Sequence, residues 1–128
     1  MNPNEGILWR GWDEATLRFI AEKSRPVFLF VADRDPTISP FLRELLRAMP
    51  RNAKLRGLLD EHFPALLIEA DAVPQDLAML GAGSTYHVAV LSPYGLTPIV
   101  TIDPVHGNPD EVVDEIVRVL ERLVDVWT

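Results

Sequence analysis

The sequence predicts an α/β fold: one four-stranded mixed sheet with helices on both faces. Three observations predict it. Val27-Phe28-Leu29-Phe30-Val31-Ala32 is a short, wholly apolar run rich in β-branched and aromatic residues. Such a run, opened by Pro26 and closed by a polar turn, is the pattern of a strand buried on both faces. Stretches with apolar residues at helical spacing precede and follow it. Finally, Tyr86–Ser92 and Thr97–Ile102 flank Pro93-Tyr94-Gly95-Leu96, and this proline and glycine between two apolar runs predict a β-hairpin.

Taken in order, the elements support this outline. Trp9 and Trp12 open the ordered part, and Asp13 is placed to cap a helix reaching about Ser24, with Leu17, Ile20 and Ala21 on one face. The strand at 27–32 ends in Asp33-Arg34-Asp35-Pro36-Thr37-Ile38, after which Ser39 and Pro40 suit an N-cap and a first helical position. The helix that follows presents Phe41, Leu42, Leu45, Leu46 and Met49 on one side and Arg43 and Arg47 on the other, until Pro50 stops it. A further helix over about 53–62 offers Leu55, Leu58 and Leu59 to the core, and Ala65–Ala70 is the next strand. One or two helical turns over 74–80 and a Gly81-Ala82-Gly83-Ser84 connection lead to the hairpin, where Pro98 favours an edge strand. Asn108, Pro109, Asp110 and Glu111 then read as a capping box on a helix running to about Val126. Its stripe is Val113, Ile116, Val117, Leu120, Leu123, Val124 and Trp127.

Composition bounds the function. With 128 residues the chain is expected to form a single domain over 1–128, with 1–8 as a flexible lead. A net charge of −7 repels phosphate backbones and anionic membranes, so neither nucleic acid nor membrane is an expected partner. A local exception is the basic stretch with Arg34, Arg43, Arg47, Arg51, Lys54 and Arg56, which reads most simply as a solvated helix face. The polar opening lacks a signal-peptide pattern and no apolar run is long enough to span a bilayer, so a cytoplasmic location is expected. There is no cysteine, which removes disulfides, thiolate metal sites and thiol redox chemistry.

A right-handed β-α-β unit followed by a β-β-α unit, with helices on both sheet faces, is the thioredoxin-like arrangement. Trp9-Arg10-Gly11-Trp12-Asp13-Glu14-Ala15, Arg25-Pro26-Val27-Phe28-Leu29, Leu58-Leu59-Asp60-Glu61-His62-Phe63 and Glu69-Ala70-Asp71 resemble thioredoxin-like domains of the spermatogenesis-associated and thiol:disulfide interchange type. Ser92-Pro93-Tyr94-Gly95 resembles their hairpin, so the resemblance extends from residue 9 to about 126. By that resemblance the family's two-cysteine motif falls on Pro36-Thr37-Ile38-Ser39, or on Asp35-Pro36-Thr37-Ile38 in the register of ordinary thioredoxins. Both thiols are missing in either register. The family's cis-proline falls on Tyr86, where a non-proline residue prefers the trans bond to Thr85, and its buried carboxylate falls near Phe30. A serine hydroxyl cannot replace a thiolate in redox exchange, so disulfide oxidoreductase activity is excluded.

Three functions fit these residues. The leading expectation is a redox-inactive thioredoxin-like protein that binds a protein or peptide partner, as a chaperone, assembly factor or scaffold subunit, and needs no cofactor. Its site would be the degenerate active-site surface of Asp33, Arg34, Asp35, Pro36, Thr37, Ile38, Ser39, Thr85 and Tyr86, with no catalytic or metal-binding residue. An enzyme alternative rests on Asp33-Arg34-Asp35-Pro36-Thr37 after an apolar strand, which resembles the D-x-D-x-T motif of haloacid-dehalogenase-type phosphohydrolases. There the first carboxylate attacks phosphorus, the second exchanges protons and magnesium offsets charge. Ser92 and Asp103 suit two of the further requirements, but no lysine follows Lys54. The third is a self-associating structural domain, a homo-oligomer using Ile99 or Trp127. His62, His87 and His106 lack metal-ligand spacing, and no serine sits in a G-x-S-x-G elbow.

Overall fold

The structure is a computed structural model that describes residues 7–32, 39–82, 86–102 and 108–127; of these, the side chains of Ser39 and Trp127 are not described. The chain is α/β, as the sequence predicts, but the sheet has five strands rather than four, in the order β1-β3-β2-β4-β5. The additional strand is β1 (Trp9–Arg10), which runs parallel to β3 (Ala65–Glu69) with Trp9 opposite Ala65. β2 (Val27–Ala32) is parallel to β3 on one side and antiparallel to β4 (Val88–Leu91) on the other, and β5 (Pro98–Ile102) closes the far edge. β4 starts at Val88, later than the expected Tyr86. Tyr86 instead makes an isolated bridge to Ala82. Pro98 lies on the edge strand, where its missing N–H costs no central ladder bond.

Period-two alternation along β2 divides the interior into two layers. Phe28 and Phe30 face the layer built by α2 (Ser39–Ala48), α3 (Ala53–Glu61) and α5 (Pro109–Trp127). Val27, Leu29 and Val31 face the opposite layer, with Ile20 from α1 (Glu14–Lys23) and Leu77 from α4 (Gln75–Met79). All five of these β2 residues are fully buried. Trp9 and Trp12 go to opposite layers: Trp9 packs edge-on against Phe30 at 6.0 Å between ring centroids, whereas Trp12 packs against the cluster that holds Leu29 and Ile20. α5 supplies the largest helical surface, with Val112, Val113, Ile116, Val117 and Leu120 buried. Each such side chain contributes about 1.5–3 kcal/mol of burial. The stripe fades beyond Leu120, and Val126 is exposed.

Local chemistry fixes the helix ends. The Thr16 N–H donates to Asp13 Oδ1 at 2.7 Å, and this bond lowers the Asp13 pKa from its ordinary value. Ser24 ends α1 in the left-handed region at φ 51°, its N–H donating to the Ile20 carbonyl. Ala21, expected on the buried face, is exposed, because the layer above it is open between α1 and α4. A 3-10 turn at Met49–Arg51 carries the chain through Pro50, and Asn52 Oδ1 then accepts from the Leu55 N–H to start α3. At α5 the Asp110 N–H donates to Asn108 Oδ1 at 2.8 Å, but the reciprocal Glu111 bond of a capping box is not formed among the described residues. The hairpin turn is held by the Ser92 N–H on the Thr97 carbonyl and passes through positive φ at Gly95, the residue type that adopts it without strain.

Candidate functional site

Of the expected partner-binding residues, Asp33, Arg34, Asp35, Pro36, Thr37, Ile38 and Thr85 lie outside the described residues, as do His106 and the Thr85–Tyr86 peptide bond. The elements that flank them are described. β2 ends at Ala32 and α2 begins at Ser39, so the Asp33–Ile38 segment joins the carboxyl end of the central strand to a helix. The Val31 N–H donates to the His87 carbonyl at 2.7 Å, which holds the approach to β4 against that same end. Val31 and His87, close in sequence to the two expected segments, are thus bonded to each other. In open α/β sheets the carboxyl ends of the strands are the usual ligand side.

Tyr86 itself is not a surface side chain. It is 5% exposed, packs in the layer with Val31, Leu77 and Ala82, and its hydroxyl has no hydrogen-bond partner among the described residues. Burial raises its pKa above the ordinary 10.0. A raised pKa in the folded chain means that the stabilisation is complete below pH 10.0 and is lost as pH climbs past it, because the unfolded chain gives up its proton first. Tyr86→Phe removes a hydroxyl that costs free energy to bury. It should raise stability at neutral pH by about 1 kcal/mol and reduce the loss above pH 10. Urea denaturation at neutral and alkaline pH checks both effects, and a destabilised Tyr86→Phe would mean that the hydroxyl has a partner.

Other chemistry expected from single residues is not assembled. Among the described residues no group of three or more His, Asp or Glu side chains is placed to hold a metal ion. His62 and His87 lie in different surroundings: His87 is buried beside the end of β2, whereas His62 is half-buried at the end of α3. No helix among the described residues is long and apolar enough to cross a membrane.

A second concavity was not anticipated from the sequence. At the opposite end of the sheet, where β1, β2 and β3 begin, a cavity of about 460 Å³ opens between the end of α1 and the end of α3. Arg10, Arg25 and His62 line it from β1 and from the segments just before β2 and β3. The only signal in the sequence was a basic residue in or just ahead of each of three strands, and it acquires meaning only once those strands are known to be parallel neighbours. An apolar groove of about 350 Å³ lies on the α1 and α4 side, among Trp12, Leu17, Leu77 and Leu96. A search of protein-family models and of curated protein sequences finds no match to this chain.

Proposed function

We propose that the chain is a redox-inactive thioredoxin-like protein that binds a protein partner through the surface formed by Asp33–Ser39 and Thr85, next to the buried Tyr86. The observation that supports this reading is the 2.7 Å bond between Val31 and His87, which joins the chain just before Asp33 to the chain just after Tyr86 at the carboxyl end of β2. The strand order, with β2 parallel to β3 and antiparallel to β4, is consistent with a thioredoxin-like sheet. The absence of cysteine is compatible with binding and not with thiol exchange. Asp33, Arg34 and Asp35 supply charge for polar contacts to an extended polypeptide. A chaperone, an assembly factor or a scaffold subunit would each use such a surface.

The test is a titration of the isotopically labelled chain with an extended peptide selected from a random display library. Amide shifts confined to Asp33–Ser39, Thr85 and Tyr86 and the residues next to them in β2, α2 and β4, and lost in the Asp33→Ala/Asp35→Ala variant, are the expected result. Shifts scattered over other elements, or binding untouched by that variant, overturn the reading. Magnesium-dependent hydrolysis of p-nitrophenyl phosphate that disappears in Asp33→Asn would replace it with a phosphohydrolase.

A further inference from the structure

Four arginine and lysine side chains, Arg10, Lys23, Arg25 and Arg56, line the cavity at the amino ends of β1, β2 and β3, together with three carboxylates. Depth separates them. Glu22, Asp60 and Glu61 are exposed at the rim, as are Lys23 and Arg56. Arg10 and Arg25 are half-buried within, so the inner charge is wholly positive in a chain whose net charge is −7. Among the described residues neither inner guanidinium forms a close ion pair with a carboxylate, and the charge attraction between Arg10 and Asp13 is the least of the causes that lower the Asp13 pKa.

Both are nonetheless held in place by neutral partners. The Arg10 guanidinium lies 3.9 Å from the Phe19 ring centroid. Stacking on the ring orients it and leaves its N–H edge available. Arg25 Nη1 donates to His62 Nδ1 at 3.2 Å. Arginine has no acceptor, so Nδ1 must carry the lone pair, and the neutral ring has its proton on Nε2, turned toward Glu61 Oε2 at 3.8 Å. An arginine satisfied by an imidazole or a ring face keeps its full charge, whereas one paired to a carboxylate has already spent it. The cavity also has apolar walls from Ile7, Leu59 and Phe63, and its volume is within the range of about 300–1,000 Å³ typical of small-molecule sites.

From this arrangement we infer that the cavity is a binding site for a small organic anion, a carboxylate or phosphate head on an apolar body, with Arg10 and Arg25 receiving the head and Leu8, Phe19 and Leu59 the body. The site is independent of the partner-binding surface, being at the other end of the sheet. Carboxylate and phosphate share the chemistry that two oriented guanidinium groups recognise, and the choice between them is an arm of the experiment.

The experiment is calorimetric and NMR titration of the full chain with 4-phenylbutyrate, phenyl phosphate and the uncharged 4-phenylbutyramide. One or both anions are expected to bind saturably with amide shifts at Arg10, Phe19, Arg25 and His62, the tighter one naming the head group. Loss of one charge-assisted contact should weaken that binding about ten-fold or more in Arg25→Gln, and the amide should be weaker by a similar factor. Arg56→Gln, at the rim, should change it far less. Equal affinity for the amide and the anions, unaltered binding in a folded Arg25→Gln, or no saturable binding of either anion overturns the inference. Unchanged thermal melting of the variants without ligand separates lost binding from lost folding.

Discussion

Phe30→Ala is expected to lower the stability of the chain by about 3–5 kcal/mol, the range for removing a buried aromatic ring whose surroundings collapse only in part. Phe30 is fully buried on the central strand, paired with Leu67 on one side and Val88 on the other, so backbone on both flanks limits that collapse. Small domains are stable by about 5–15 kcal/mol, so the variant would lose roughly a fifth or more of its margin. Urea denaturation followed by tryptophan fluorescence measures the change. The native spectrum should shift as well, because Trp9 loses the ring that meets it at a 65° interplanar angle. A loss below about 0.5 kcal/mol, the size of an ordinary surface substitution, would show that the ring is not in the core.

The second large effect is expected in α5. Leu120→Ala should cost about 2–5 kcal/mol, while Val126→Ala, on the same helix, should stay within about 0.5 kcal/mol. Leu120 is fully buried in the layer with α2, α3 and the sheet, whereas Val126 is 78% exposed. Alanine favours helix at both positions, more so in place of valine than of leucine, so a loss at Leu120 reports packing and not propensity. Thermal and urea denaturation of the pair would give it directly, and equal losses would mean that the carboxyl-terminal turns of α5 are as tightly packed as its middle.

How far the sequence foretells this structure depends on how each element announces itself. β2, α2, α3 and α5 carry unbroken apolar runs or stripes bounded by proline or a capping residue, and their limits fall within a residue or two of those expected. Trp9–Arg10 has no period to read: a two-residue strand exists only because β3 offers an edge for it. Ala21 and Tyr86 departed from expectation for a related reason, since exposure at one and burial at the other are set by which neighbours arrive from distant parts of the chain. Of the candidate partner surface, the sequence indicates its position after the central strand, and the structure adds the bond between Val31 and His87 and the burial of Tyr86. The anion-binding cavity was illegible, because Arg10, Arg25 and His62 are far apart in sequence and meet only when three parallel strands begin side by side.

The mixed sheet also imposes an order on folding. β4 and β5 are joined by a short turn, and α5 follows closely, so these elements meet at small cost in loop-closure entropy. β2 and β3 pair across the longer loop that holds α2 and α3, and β2 reaches β4 across a longer loop still. The β4–β5 hairpin is therefore expected to form early, with β2 and β3 pairing before β2 joins β4, and the two-residue β1 adding last. The cavity at the amino ends of β1, β2 and β3 would then be completed only when folding is nearly finished, so a ligand held there stabilises the final step and leaves the early ones untouched.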